Sequence, residues 1–256
     1  MASRKDTASR ALGLIDLTNL NDDCTPEAID ALCEQAETHF GNVAAICIWP
    51  RFVAQARKKL GDDSNIRIAT VVNFPSGDGD ERSVLHETKD AVAAGADEID
   101  LVMPYKALAA GDDARARSMV ATIRAATEGI ALLKVIIEAG ELKTPALIEK
   151  ASEITLEEGA DFIKTSTGKV AVNATPETAG IMLTVLKDFG DTKRGFKPAG
   201  GIRTVEEAGQ YLALADQIIG KDWVSPKTFR FGASSLLGNV IAALSGEESA
   251  TSDSGY

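Results

Sequence analysis

DFIKTSTGK, residues 161–169, changes character halfway along. Phe162 and Ile163 form an apolar run, whereas Thr165 to Lys169 are polar and include Gly168. A short apolar run between a glycine (Gly159) and a polar loop reads as a buried strand ending at a surface. Lys164 falls inside the apolar part. A lysine buried there loses hydration, its pKa falls, and the free amine becomes a nucleophile for a carbonyl. The loop beyond it offers backbone N–H groups, hydroxyls and one cation, which suit a phosphate.

Seven more runs of this kind punctuate the chain: LIDLT (14–18), NVAAICIWP (42–50), IRIATVVNF (66–74), EIDLVMP (98–104), LLKVIIEAG (132–140), RGFKPAGG (194–201) and FRFGASS (229–235). The segments between them read as helices. Thr25-Pro26, Thr144-Pro145 and Thr175-Pro176 each place a hydroxyl cap before a proline at the first helical position. Thr204-Val205-Glu206-Glu207 is a capping box. Gly95, Gly129, Gly159 and Gly190 supply stops. Apolar stripes such as Ile29, Leu32, Cys33 and Ala36, or Ile181, Met182, Val185 and Leu186, are faces that pack on a sheet.

Eight strands alternating with helices over this length predict an α/β fold, a (β/α)8 TIM barrel. The alternative is a doubly wound open sheet, which usually carries a glycine-rich turn after its first strand. Here that strand ends Asp16-Leu17-Thr18-Asn19-Leu20, without glycine. A short extra N-terminal helix from about Thr7 to Gly13 is expected to cap the bottom of the barrel. The polar tail GEESATSDSGY (246–256) is expected to be a flexible end. Residues 1–256 read as one domain.

Composition narrows the function. Of 256 residues, 45% are hydrophobic and 25% charged, which is ordinary for a soluble globular protein. The net charge of -11 argues against general nucleic-acid binding and requires local groups to hold any anionic ligand. No run is long enough to span a bilayer, and no signal-peptide core is visible. Three cysteines (Cys24, Cys33, Cys47) in no metal or redox spacing point to a reducing cytoplasm. The two histidines, His39 and His86, lie far apart in polar settings. Chemistry must therefore run on lysine and carboxylate.

An internal match supplies a carboxylate. Gly95-Ala96-Asp97-Glu98-Ile99-Asp100 aligns with Gly159-Ala160-Asp161-Phe162-Ile163-Lys164, placing Asp100 opposite Lys164 in register. Strands four and six have the same parity, and alternate strands of a barrel share a layer of inward side chains. Strand seven adds Lys197, a second cation that disfavours protonation of the first. The competing reading makes both lysines structural, paired with carboxylates such as Asp100 and Glu138. Lys134 lies deeper in its strand and reads as a structural or pKa-tuning group. Cys47 faces the barrel mouth or is simply a packed small hydrophobe. Three late loops suit a phosphate: Gly168-Lys169 (in Ser166-Thr167-Gly168-Lys169) after strand six, Pro198-Ala199-Gly200-Gly201-Ile202-Arg203 after strand seven, and Gly232-Ala233-Ser234-Ser235, which opens the last helix.

These residues together carry a resemblance. DFIKTSTGK, GFKPAGGIR, ADEIDLVMPY, LLKVIIEAGEL and RFGASSLL, with IDLTNLNDD near the start, closely resemble the enterobacterial type of 2-deoxyribose-5-phosphate aldolase, from about Ala8 to Leu244. The resemblance implies a class I aldolase that reversibly cleaves 2-deoxy-D-ribose 5-phosphate to D-glyceraldehyde 3-phosphate and acetaldehyde, with no metal and no cofactor. It puts the Schiff base on Lys164, the second lysine on Lys197 and the proton relay on Asp100. It puts phosphate contacts on Gly168, Lys169, Gly200, Gly201, Ser234 and Ser235. Asp16 and Thr18 match residues at the mouth, and Tyr256 matches a tail tyrosine that can fold over the site. The implied partners are a phosphorylated sugar and short aldehydes, with no nucleic acid and no membrane, for a cytoplasmic monomer or homodimer. Another lysine-dependent sugar-phosphate aldolase or a transaldolase is the nearest alternative. A non-catalytic sugar-phosphate binding protein is the alternative from another class.

Overall fold

A computed structural model of the chain describes residues 3–247. Eight parallel strands form its centre: β1 Ile15–Asn19, β2 Ala45–Ile48, β3 Arg67–Val72, β4 Glu98–Val102, β5 Leu132–Ile136, β6 Phe162–Lys164, β7 Gly195–Lys197 and β8 Phe231–Ala233. From β1 to β7 each strand pairs with the next, and β8 pairs with β1. Parallel bridges Phe196↔Phe229 and Ala199↔Gly232 join the β7 and β8 segments, so the ring of eight closes. This is the TIM barrel expected from the strand count, and the open-sheet alternative does not hold.

The helices form where the caps predicted them. Thr25, Thr144 and Thr175 accept backbone N–H bonds at the starts of α2 (Pro26–Gln35), α8 (Pro145–Glu157) and α9 (Pro176–Phe189). Thr204 and Glu207 close both halves of a capping box on α10 (Val205–Ile218). The remaining principal helices are α1 (Arg4–Leu12), α3 (Val53–Leu60), α4 (Glu81–Ala93), α6 (Asp113–Thr127) and α11 (Leu236–Ser245). Two short helices, α5 (Tyr105–Ala109) and α7 (Ala139–Leu142), follow β4 and β5. The stripe Ile29, Leu32, Cys33 and Ala36 is buried, as its spacing requires.

One expectation is corrected. The N-terminal helix begins at Arg4, capped by Ser3, and runs along α10 in the outer layer. Arg4 bonds Glu206 in the first turn of α10, and Arg10 makes a two-pronged pair with Asp216 near its end. Contacts at both ends of α10 lay the helix alongside it rather than under the barrel. Residues 248–256 lie outside the described residues, and with them the expectations of a flexible tail and of Tyr256.

The observed strands are shorter than the apolar runs that announced them. β6 covers Phe162–Lys164 only. Beyond it, Thr165 exchanges hydrogen bonds with Ala199, and Thr167 turns to Glu138. Polar side chains thus take over from the ladder at the rim. Within the ladder, Asp100 is in register with Lys134, Ile136 with Lys164, and Lys164 with Lys197. Asp100 and Lys164 are therefore offset by two residues across two strands. That offset matches the slant of an eight-stranded barrel, about one residue per strand, so the two share a layer.

Candidate active site

The interior of the barrel is ionic where many barrels are apolar. Glu98, Asp100, Lys134, Asp16 and Lys197 are essentially inaccessible, and Arg230 nearly so. Arg230 bridges Asp16 at 2.6 Å and Glu98 at 2.8 Å. Lys134 Nζ lies 2.5 Å from Glu98 and 2.8 Å from Asp100. Lys197 Nζ lies 2.6 Å from Asp16 Oδ2 and 2.8 Å from Asp100 Oδ2. Lys164 Nζ completes the set, 2.7 Å from the same Asp100 oxygen. Burial at this depth is tolerable only because every charge has a partner.

The partners are shared unequally, and this decides which lysine is held most weakly in its charged form. Asp100 serves three ammonium groups. Lys134 also holds Glu98, and Lys197 also holds Asp16. Among the described residues Lys164 has ion-pair contact with Asp100 alone. Burial drives the Lys164 pKa down, Asp100 opposes this, and Lys197 adds to it; the net shift is downward. Lys197 is held above the ordinary lysine range because Asp100 and Asp16 overcome its burial. Lys134 is likewise raised by Asp100 and Glu98 against burial. Asp16 and Asp100 are both depressed, because the surrounding cations outweigh the penalty of burial. Formally four cations (Lys134, Lys164, Lys197, Arg230) face three carboxylates (Asp16, Glu98, Asp100), and a neutral Lys164 balances the cluster.

Above the cluster a cavity of about 640 Å³ opens at the strand C-termini, within the usual size of a small-ligand site. Lys164, Thr18 and Leu20 line it. So do Thr167, Gly168 and Lys169 from the loop after β6. Gly200, Gly201 and Arg203 line it from the loop after β7, and Ser234 and Ser235 from the end of β8. The three loops singled out for a phosphate thus converge on one space with the candidate nucleophile. Ser235 is the N-cap of α11, and no side chain caps that end. Its first N–H groups add to the positive end of the helix dipole, a setting suited to an anion. Gly200 has φ +83°, and a Cβ there would come within 2.6 Å of the Asn173 side chain. Glycine is needed for both reasons.

One expectation is adjusted and two alternatives are decided. Asp16 does not line the mouth: it is fully buried one level lower, against Lys197 and Arg230. Glu138 pairs with neither lysine; both its oxygens face Thr167. Cys47 is fully buried in a small cluster with Leu20, Ala69 and Val71, and burial pushes its thiol up. Lys134 takes the structural place foreseen for it. Lys169 Nζ lies 3.5 Å from exposed Asp22 while its side chain borders the cavity.

Reasoning from sequence missed Glu98, Arg230 and Asn173. Glu98 adjoins the internal repeat, but nothing in its own spacing marks it as inward. Arg230 precedes the third phosphate loop by two residues, and its role shows only when β8 closes on β1. Asn173 lines the cavity, and its buried Oδ1 has no hydrogen-bond partner among the described residues.

Comparison with known proteins completes the description. Residues 10–239 match the model of a family described as DeoC/LacD family aldolase. A deoxyribose-phosphate aldolase of Agrobacterium fabrum is 59% identical over 252 residues, covering 98% of this chain and 97% of the relative. A Toxoplasma gondii protein described as an inferred deoxyribose-phosphate aldolase superposes with a TM-score of 0.87 at 26% identity, covering 96% of this chain and 99% of its own. The tetrameric deoxyribose phosphate aldolase of Aeropyrum pernix gives 0.73 at 25% identity, covering 96% and 92%.

Proposed function

The chain belongs to the DeoC/LacD aldolase family, and from that premise we propose that it reversibly cleaves 2-deoxy-D-ribose 5-phosphate to D-glyceraldehyde 3-phosphate and acetaldehyde through a Schiff base on Lys164. The observation that carries the residue roles is the pair of lysines on one carboxylate oxygen. Lys164 and Lys197 both reach Asp100 Oδ2, at 2.7 and 2.8 Å, and only Lys164 is pushed towards the neutral amine.

The steps follow from those positions. The free amine of Lys164 attacks C1 of the open-chain sugar, and the carbinolamine loses water to give an iminium. The iminium is the electron sink, so the bond that breaks is C2–C3, one carbon beyond the neighbour of the former carbonyl. The C3 hydroxyl gives its proton, through a water, to the Asp100–Lys197 pair. Electrons of the C2–C3 bond become the enamine double bond between C1 and C2, and C3 leaves as the aldehyde of glyceraldehyde 3-phosphate. Protonation of the enamine at C2 and hydrolysis release acetaldehyde and restore the amine. Because the iminium takes the electrons, this reaction needs neither metal nor cofactor.

The 5-phosphate is assigned to Gly168, Lys169, Gly200, Gly201, Ser234 and Ser235, which supply N–H groups, hydroxyls and one cation against a net charge of -11. Thr18 and Thr167 border the sugar carbons between nucleophile and phosphate. Asp16 acts from below by holding Lys197. Among the described residues no helix is long and apolar enough to cross a membrane. Among the described residues the exposed large apolar side chains are Phe40, Ile130, Val172 and Phe189; the proposal includes a single domain and a cytoplasmic monomer or homodimer. A coupled assay tests the substrate. Deoxyribose 5-phosphate should release glyceraldehyde 3-phosphate, and ketose phosphates should release none. Preferential cleavage of a ketose phosphate would instead favour the transaldolase alternative.

A further inference from the structure

Glu98, Lys134 and Arg230 lie beneath the site, and the reaction above gives them no step. A barrel interior is ordinarily filled by branched apolar side chains. Stability does not explain buried ions there, because well-packed apolar side chains often serve as well. The pattern of links points to another use. Arg230 holds Asp16 Oδ1 at 2.6 Å and Glu98 Oε1 at 2.8 Å. Glu98 Oε2 meets Lys134 Nζ at 2.5 Å, and Lys134 meets Asp100 Oδ1 at 2.8 Å. Asp100 Oδ2 meets Lys197 at 2.8 Å. Lys197 returns to Asp16 Oδ2 at 2.6 Å, a contact of charges not aligned as a hydrogen bond. These links close a ring of six groups in which cation and carboxylate alternate, and each carboxylate oxygen takes one link. Two longer contacts, Lys134 to Asp16 at 3.7 Å and Arg230 Nη1 to Glu98 Oε2 at 3.4 Å, stay within it.

Three cations and three carboxylates make the ring neutral by itself. Lys164 stands outside it, on Asp100 Oδ2, an oxygen already linked to Lys197. A proton on Lys164 is therefore a seventh charge with no counterpart. None of these side chains is more than 5% exposed, so solvent and salt screen them little. At an effective dielectric of about 20, a unit charge about 10 Å away moves a titration by about one pH unit.

We propose that Arg230 and Glu98 are positioning residues for the nucleophile, which they do not touch: by closing the ring they keep it neutral and leave Lys164 as the surplus charge. These roles presuppose the aldolase reading above. Their signs are opposite. Without the Arg230 charge the ring is left negative, and the proton that restores neutrality goes to an amine of ordinary pKa about 10.4 before a glutamate of about 4.3. Without the Glu98 charge the ring is left positive, and Lys164, the lysine most weakly held in its charged form, gives up its proton at lower pH. Besides Asp100 and Lys197, Cys47 of β2 and Glu138 after β5 are the titratable groups that face Lys164. Neither makes an ion pair with the ring among the described residues.

The test follows acetaldehyde adduct formation on Lys164 in the full chain, trapped with borohydride at a series of pH values. Arg230→Met should move the rising limb of the profile up by about one pH unit, and Glu98→Gln should move it down by about as much. Loss of packing alone gives no reason for opposite signs. Arg230→Lys keeps the charge and should leave the limb in its wild-type place. The double variant Arg230→Met with Glu98→Gln makes the set neutral again and should bring the limb back. Limbs that stay put in both single variants, or move the same way, overturn the proposal, including the case in which Glu98 or Asp16 takes the proton in place of Lys164. Where Arg230→Met does not fold, the Glu98→Gln shift and its reversal in the double variant decide, and a shift that does not reverse overturns the proposal. A wild-type limb at or above the ordinary lysine value of about 10.4 overturns it without any variant. Absence of an adduct on wild-type Lys164 at every pH removes the aldolase reading and the ring's role with it, whereas an adduct whose limb ignores the ring charges removes the ring's role alone.

Discussion

Lys164 is singled out by what its neighbours already hold. Three buried lysines compete for Asp100, and two of them have a second carboxylate. The third gives up its proton at least cost. Replacing Lys197 by leucine removes a cation that pushes the Lys164 pKa down. The Lys164 pKa should then rise, and the pH dependence of acetaldehyde adduct formation should move to higher pH. An unmoved profile would show that burial alone tunes the amine. Asp100→Asn should lower turnover by about 10²–10⁴, the usual worth of a positioned acid–base group. Much of this was legible from residues. The match of ADEID with ADFIK pointed to Asp100, and a lysine inside an apolar run pointed to Lys164. Glu98 and Arg230 were not legible, because their part depends on which strands meet across the barrel, and no local pattern encodes that. Glu138 was legible only as a carboxylate of the competing reading; its link to Thr167 comes with a left-handed turn at its own backbone, which no local pattern announces.

At the scale of elements, the site is a set of strand ends and the loops that leave them. Caps and stops were readable because each is a local contest between side chain and backbone. Thr144→Ala should remove the bond to Leu147 at the start of α8 and cost about 1 kcal/mol in urea unfolding, with turnover unchanged. The rim was harder to read, because polar side chains end the ladder earlier than the apolar runs end. Gly232 shows how tightly strand and site are joined. A Cβ there would come within 2.7 Å of the Ala199 Cβ and 3.1 Å of the Lys197 Cε. Gly232→Ala should therefore cost about 1–3 kcal/mol of stability and displace Lys197. Turnover should fall with it, measured beside the thermal midpoint.

At the scale of the whole molecule, the barrel places its ion pairs at the centre and its apolar packing between sheet and helices. Stability should follow the central carboxylates. Asp16 and Asp100 have depressed folded pKa values, so their contribution is present above the unfolded value of about 3.9. It is lost as pH falls below that value and through the folded ones. Urea midpoints should therefore drop steeply below about pH 4, and a midpoint that rises there would refute the ionised cluster. The central claim is narrower: one amine among these buried charges is free to form a carbon–nitrogen bond. Incubation with acetaldehyde, reduction with borohydride and mapping of the modified peptide test it directly. The account predicts a single adduct on Lys164, absent from Lys164→Met; an adduct on any other lysine, or one that survives that substitution, would contradict it.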